Sequence, residues 1–442
     1  MDIQLSDHFN FRKLFRFVLP SVVMMIFTSI YSVIDGFFVS NYVGKSSFAA
    51  INLIMPVLMV LAAVGFMLGA GGSALVARTL GEERLKKANE TFSLIVYVCL
   101  GLGISLATVG IIFIKPISIM LGAEGELIEL CSVYGRIILA ALPFFMLQTM
   151  FQSFFVTAEK PKLGLLITVL SGVTNIVLDW LFIAIFDWGI WGAASATALS
   201  QVVGGVIPFI YFARENKSAL KLTKTKIDHK ALLKATTNGS SEFVTNISMS
   251  VVTALYNFQL LKYKGEDGVA AYGVIMYVAF IFAAIFIGYS IGVAPIFGYN
   301  QGAENEKELK NIFRKSMTFI VLSGILLTII SYALSKPLSM LFVGYDKALM
   351  ELTTHAFQLY SLSFFMCGIG IFGSALFTAL NNGLISAIIS FLRTFAFQAL
   401  AIIIMPAIWG IEGVWYAIIV AEIFSAVVAV AFIWKYKKVY KY

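Results

Sequence analysis

Twelve apolar runs, most of them about twenty residues or longer, fill this chain of 442 residues. A helical run of that length matches the hydrocarbon thickness of a bilayer. Within a bilayer only helices and closed barrels satisfy their own backbone groups. Barrel strands are short and alternate in polarity, whereas these runs are continuous. The expected fold class is therefore all-α: a polytopic membrane protein with 12 transmembrane helices. The spans are expected near 15–40, 48–77, 92–114, 130–157, 164–186, 190–213, 239–261, 269–299, 313–335, 352–379, 384–407 and 411–434. With 60% hydrophobic and 13% charged residues, a soluble domain of this length has no way to hide its apolar surface. The first run is too long for a cleavable signal segment and is expected to remain as helix 1.

The net charge of +8 does not point to nucleic acid, because the basic residues lie in short loops beside the spans. Counted by side, 24 Lys and Arg fall on the side of the termini and 6 on the other. That asymmetry predicts a plasma-membrane protein with both termini in the cytoplasm. Cys99, Cys131 and Cys367 lie in or beside spans and show neither metal-ligand spacing nor a disulfide framework. Gly65 to Gly72 lacks the Gly-Lys-Ser/Thr ending of a phosphate loop and reads as close helix packing. Nothing suggests an enzyme.

The chain repeats itself at a shift of 221 residues. Lys115-Pro-Ile-Ser-Ile overlays Lys336-Pro-Leu-Ser-Met, Gly71 overlays Gly292, Gly81 overlays Gly302, and Trp188-Gly-Ile overlays Trp409-Gly-Ile. Each half holds six spans, so the halves run in the same direction. This predicts two pseudo-twofold-related six-helix lobes, 1–213 and 235–442, joined by a basic linker at 214–234, with a transport path between them.

The same shift isolates a polar set peculiar to the first half. Asp35 falls on Tyr256, Asn175 on Ala396, Asp179 on Leu400 and Thr197 on Ile418. Ionisable groups within a span are costly and mark function. Asn175 and Asp179 share one helix face, and the rise of a helix places all four side chains about 8–17 Å below the surface opposite the termini. Two carboxylates, an amide and a hydroxyl suit a hard cation such as Na⁺ or a shared proton. The residues leave the two open.

The chain resembles the MATE (multidrug and toxic compound extrusion) family. The resemblance rests on Asn175-x3-Asp179 followed by a Leu-Phe-Ile stretch, on Asp35-Gly-Phe-Phe-Val at the end of helix 1, and on the Gly81 loop. It implies a cation or proton site at Asp35, Asn175, Asp179 and Thr197, with export of organic cations in exchange for H⁺ or Na⁺ by alternating access and no cofactor. A helix 10 Asp used by another branch is absent from Phe377-Thr-Ala-Leu-Asn-Asn382. A monomer is expected.

Further candidates for a substrate cavity are Gln148 and Gln152, one turn apart, with Met146, Tyr277, Glu242 and Arg393. Glu242 suits either the dipole of its helix or a cationic substrate. Arg393 falls on Gly172 under the shift and suits either a carboxylate such as Glu422 or a substrate. It keeps open a rival reading, a flippase for a lipid-linked precursor. A receptor without transport is the second rival. His355 reads as solvated and Arg136 as snorkelling. The prolines within spans, Pro20, Pro56, Pro143, Pro208 and Pro295, read as hinge points.

Overall fold

The computed structural model describes residues 3–442, apart from the side chain of Lys45. Among the described residues ten helices are long and apolar enough to cross a membrane, and a bent pair makes an eleventh. These are α1 (Phe11–Tyr42), α2 (Lys45–Gly81), α3 (Leu85–Met120), α4 (Glu126–Thr157), α5 (Pro161–Ile185) and α6 (Gly189–Ala213). The segment His229–Gly302 contains a non-helical residue at Gly265. Tyr256 and Tyr272 stack with ring centroids 5.1 Å apart, whereas a straight helix would separate them by about 24 Å. The chain therefore reverses at Gly265 and forms two spans, α7 (229–264) and α8 (266–302). Then follow α9 (Glu306–Val343), α10 (Lys347–Ser361 and Phe364–Ala379, bent by 49°), α11 (Gly383–Trp409) and α12 (Ile411–Tyr440). That gives twelve spans, with both ends of the described chain on one side.

Local chemistry sets the helix starts. Asn10, Asp228, Asn305, Asp346 and Asn382 each accept a bond from a backbone N–H in the first turn of the helix that follows, which satisfies donors left over at a helix N-terminus. Because Asp228 provides that cap, α7 begins ten residues earlier than expected, within the basic stretch. The bend in α10 departs from the expected straight span: its break at Leu362–Ser363 carries neither Gly nor Pro, and Ser361 and Ser363 instead donate back to the Gln358 and Tyr360 carbonyls.

The sequence repeat is also a repeat of contacts. Gly44 and Gly265 are repeat mates, and both hold the positive φ of a sharp reversal. Gly81 presses on the carbonyl of Tyr299, and its mate Gly302 presses on the carbonyl of Arg78, the mate of Tyr299; neither position has room for a Cβ. Gly71 meets Gly239, and Gly292 meets Val18, again mates of one another. These close contacts join the halves on the side of the termini and close it.

The first helix of each lobe leans on the other lobe. Leu14, Phe17, Val18 and Val22 of α1 belong to a core made otherwise of C-terminal residues, with Val156 from α4. Ala235 of α7 belongs to the core of the first half. Ahead of α1, Leu5 and Phe9 are buried in the C-terminal core. The backbone N–H of Leu5 donates to Glu159 at 2.7 Å and that of Phe9 to Glu308 at 2.9 Å. The linker is tied to α3: Lys221 N–H donates to Asn89 Oδ1 at 2.7 Å and Thr223 N–H to Ser93 Oγ at 2.8 Å.

Candidate functional site

The N-terminal lobe carries a polar column on one face of α5. Thr168, Ser171, Asn175 and Asp179 recur at helical spacing and are all buried. α1 runs alongside because Gly172 leaves room for Phe27 and Tyr31, which occupy the space a Cβ would take. One turn beyond Tyr31, Asp35 faces Asn175 and Asp179 closely enough to interact with both. Asp35 is partly exposed and Asp179 fully buried.

The column continues into α4 and α6. Gln148 Nε2 donates to Ser171 Oγ at 3.2 Å, Ser171 Oγ donates to the Ser200 carbonyl at 2.7 Å, and Ser200 Oγ donates to the Thr197 carbonyl at 2.8 Å. Thr197 itself opens on a small cleft with Tyr134, Phe145 and Gln201. Tyr134 of α4, buried within electrostatic range of both carboxylates, bridges that cleft to the aspartates. The sequence reading missed Tyr134 and Tyr31. Tyr31 had a signal, since it lies four residues before Asp35 on the same face. Tyr134 had none in its own helix, because its relation to the aspartates is tertiary.

Polar atoms in this column stand without partners. Asp35 Oδ1, both carboxylate oxygens of Asp179, Asn175 Nδ2 and Gln148 Oε1 are buried and accept or donate no hydrogen bond among the described residues. A buried charge is tolerated when paired, and two adjacent carboxylates in a medium of low dielectric constant do not both hold charge unless a cation joins them. The arrangement therefore suits a proton shared by the pair or one small cation. Among the described residues no three His, Cys, Asp or Glu side chains form a metal cluster, so a bound ion would draw on amide and hydroxyl oxygens as well. Immediately after Asp179 the helix widens into a π-turn over Trp180–Ile185, a feature frequent at functional sites.

The C-terminal lobe holds a different constellation. Arg393 lies in a second π-turn, Leu392–Ala396, and donates from Nε and Nη2 to the two carboxylate oxygens of Glu422, both at 3.1 Å. Its Nη2 also reaches Cys367 Sγ at 3.3 Å. Gly370 makes this possible, since a Cβ there would meet Arg393 Cδ at 2.7 Å and Ser425 Oγ at 2.8 Å. Glu242 on α7 is within electrostatic range of Arg393. Ser241, Thr378, Ser386, Ser374 and Ser390 form a buried chain of hydroxyls between α7, α10 and α11.

The remaining candidates fall in several places. Met146 is fully buried in the core of the N-terminal lobe, packed against Gly65 and Gly103. Gln152 is buried on α4 one turn beyond Gln148. Tyr277 on α8 is nearly half exposed. His355, expected to be solvated, is exposed and also meets both carboxylate oxygens of Glu412 at 2.9 and 3.1 Å at the side opposite the termini.

A family model described as MatE matches this chain twice, over residues 20–181 and 243–404. The multidrug export protein MepA of Staphylococcus saprophyticus subsp. saprophyticus is 25% identical over 425 residues, covering 96% of this chain and 93% of its own. MepA of Staphylococcus aureus matches equally, at 25% over 425 residues. Among solved structures, a MATE in complex with MaL6 superposes with a TM-score of 0.93 at 23% identity, covering 99% of this chain and 98% of that one. An outward-facing multidrug resistance MATE family transporter of the MOP superfamily gives 0.93 at 23% with the same coverage. A MOP superfamily transporter from Pyrococcus furiosus gives 0.91 at 23%, again with 99% and 98% coverage. The structural likeness establishes the fold.

Proposed function

Since this chain belongs to the MatE family, we propose that it is a secondary active multidrug efflux antiporter, exporting amphiphilic organic cations in exchange for H⁺ or Na⁺. The observation that carries this is the pair Asp35 and Asp179, with Asn175 beside them and their buried polar atoms unpartnered. Relatives described as multidrug export proteins support the efflux part of this reading. The protein sits in the plasma membrane with its termini in the cytoplasm, where the basic loops lie, and works as a monomer. Its functional units are the lobes 1–213 and 235–442 with the linker 214–234.

The conformation closed on the side of the termini fits the outward-facing half of the cycle. A proton or cation from outside reaches Asp35, which is partly exposed, and then Asp179, Asn175 and the cleft at Thr197. Neutralising the pair relieves two adjacent buried charges, and that relief favours one arrangement of α1 and α5 over the other. An organic cation that binds better to the arrangement with a charged pair is then coupled to the ion reciprocally. Glu242 and Tyr277 remain the residues we assign to the substrate path. The flippase reading rests on Arg393, and the two hydrogen bonds from Nε and Nη2 along one edge of its guanidinium to Glu422 favour the structural-pairing reading of that residue.

The test is efflux of a cationic dye from proteoliposomes under an imposed H⁺ gradient and, separately, a Na⁺ gradient. Dye movement under either gradient is expected and names the ion. Folded protein that moves dye under neither would overturn the proposal and make lipid scrambling the next assay.

A further inference from the structure

On the membrane-facing side of the C-terminal lobe, α10 and α12 part to leave a groove of about 430 Å³. It is lined by Met366 and Ile369 on α10 and by Ile423, Val427, Val430 and Trp434 on α12, with an almost wholly apolar wall. The α12 residues form one stripe at helical spacing, about 16 Å long from Ile423 to Trp434, which is close to the hydrocarbon depth of a single leaflet. Trp434, at the end nearer the termini, is 80% exposed and marks the interface level where such rings gather.

The stripe does not end at Trp434. Continued by three and four residues it reaches Lys437 and Lys438, both exposed, about 5–6 Å further along the axis. Among the described residues neither has an ion-pair partner, whereas Lys441 one turn on is held by Glu306 at 2.6 Å. An apolar slot one leaflet deep, an aromatic ring at its mouth and two free ammonium groups just above it match the parts of one molecule: an acyl chain, a glycerol level and an anionic head.

We propose that this groove is a binding site for an anionic phospholipid of the leaflet on the side of the termini, with one acyl chain between α10 and α12 and its phosphate at Lys437 and Lys438. The charge complementarity selects this occupant. A zwitterionic lipid gains nothing net from the lysines, and a second copy of the chain would bring the same positive charges face to face. The proposal stands apart from the transport reading, since it concerns lipid binding alone.

The experiment uses the full chain in vesicles of phosphatidylcholine doped with phosphatidylglycerol, one of the two lipids carrying brominated acyl chains that quench tryptophan on contact. Trp434 fluorescence is isolated as the difference from W434F. Quenching is expected at a several-fold lower fraction of brominated phosphatidylglycerol than of brominated phosphatidylcholine, with the preference shrinking as salt is raised. Lys437→Gln and Lys438→Gln should each reduce the preference by up to about fivefold. Ala431→Leu, at an exposed groove position with both lysines intact, should return Trp434 to the quenching of bulk lipid. Equal quenching by the two lipids, a preference untouched by both lysine variants, or shielding of Trp434 from either lipid by a second copy would each overturn it.

Discussion

The two lobes share one scaffold and neutralise their buried charge in opposite ways. In the N-terminal lobe two carboxylates, Asp35 and Asp179, face each other with only an amide and hydroxyls nearby. In the C-terminal lobe Glu422 faces Arg393, which grips it with two bonds of 3.1 Å. A π-turn accompanies each site, at Trp180–Ile185 and Leu392–Ala396, but the turns are not repeat mates. The C-terminal lobe carries its own counter-charge for Glu422 in Arg393. The N-terminal lobe lacks one, so its electrostatics depend on what arrives. Under the proposed antiport, one lobe would respond to an ion and the other stay constant while it does.

The sharpest way to break this contrast is to remove the carboxylates. Asp179→Asn and Asp35→Asn are each expected to reduce ion-coupled dye efflux by about a hundredfold or more, while the purified protein keeps its helical content and melting behaviour. Leu400→Asn, at the repeat mate of Asp179 on a membrane-facing position 56% exposed, is expected to leave coupling largely intact. Equal loss in both lobes would mean that any polar change at this depth is harmful, and the contrast would be gone.

The C-terminal lobe makes the converse prediction, in stability rather than coupling. Arg393→Met leaves Glu422 buried without its partner, a loss of about 3–5 kcal/mol, read as a lowered melting temperature in detergent. The double variant Arg393→Met with Glu422→Leu removes both charges and should recover most of it. Failure of the double variant to recover would show that the pair does more than neutralise itself.

How much of this was legible in the sequence follows from the range of each interaction. The spans were legible because their length is a property of the run itself. The lobes were legible because Gly71, Gly81 and the Trp188 turn recur in register. The pairing of Arg393 with Glu422 was one of two readings, since a lone mid-span guanidinium requires some carboxylate. Tyr134 was not legible, because its place beside the aspartates depends on how α4 packs. Gln148 looked like a cavity residue because a lipid-facing amide is costly; its Nε2 finds Ser171 within the lobe, while its Oε1 stays without a partner. The early start of α7 was hidden because Thr236-Thr-Asn-Gly-Ser-Ser241 has the composition of a loop. Those small polar residues instead let Gly239 meet Gly71, and Asn238 donates to Asn381 Oδ1 at 2.6 Å.

That close approach gives a smaller prediction, on the equilibrium between conformations. Gly302→Ala places a methyl against the Arg78 carbonyl, where there is no room, so the closed arrangement should weaken by about 1–3 kcal/mol. Accessibility of a cysteine introduced at Glu242 to a thiol reagent from the side of the termini should rise several-fold. Gly81→Ala, its repeat mate, should do the same to a similar extent, because the contact is shared between the lobes even though the charge arrangement is not. A response from only one of the two would show that the closure is less symmetric than its glycines.

The smallest effect concerns the linker, which is tied to one lobe. Asp228 caps α7 and also pairs with Lys87 of α3 at 2.6 Å. The hydrogen bond from Lys87 is the leading cause that lowers its pKa from the model-compound value of 3.8, followed by the bond from the Ala231 N–H. A carboxylate whose folded pKa is depressed contributes stability that is full above its unfolded value and drains as the pH falls through the lowered folded value. Both side chains of the pair are more than a third exposed or nearly so, so solvent screens most of the attraction. Protection of the linker from protease should therefore hold from pH 7 to about 4 and fall below that. Lys87→Gln should lower the protection modestly at pH 7 and move its acid edge upward, because the lysine no longer holds the carboxylate in its charged form. An acid edge unmoved by Lys87→Gln would assign the anchoring to Asn89 and Ser93 alone, and the linker would then follow the N-terminal lobe through neutral hydrogen bonds, with no charge involved.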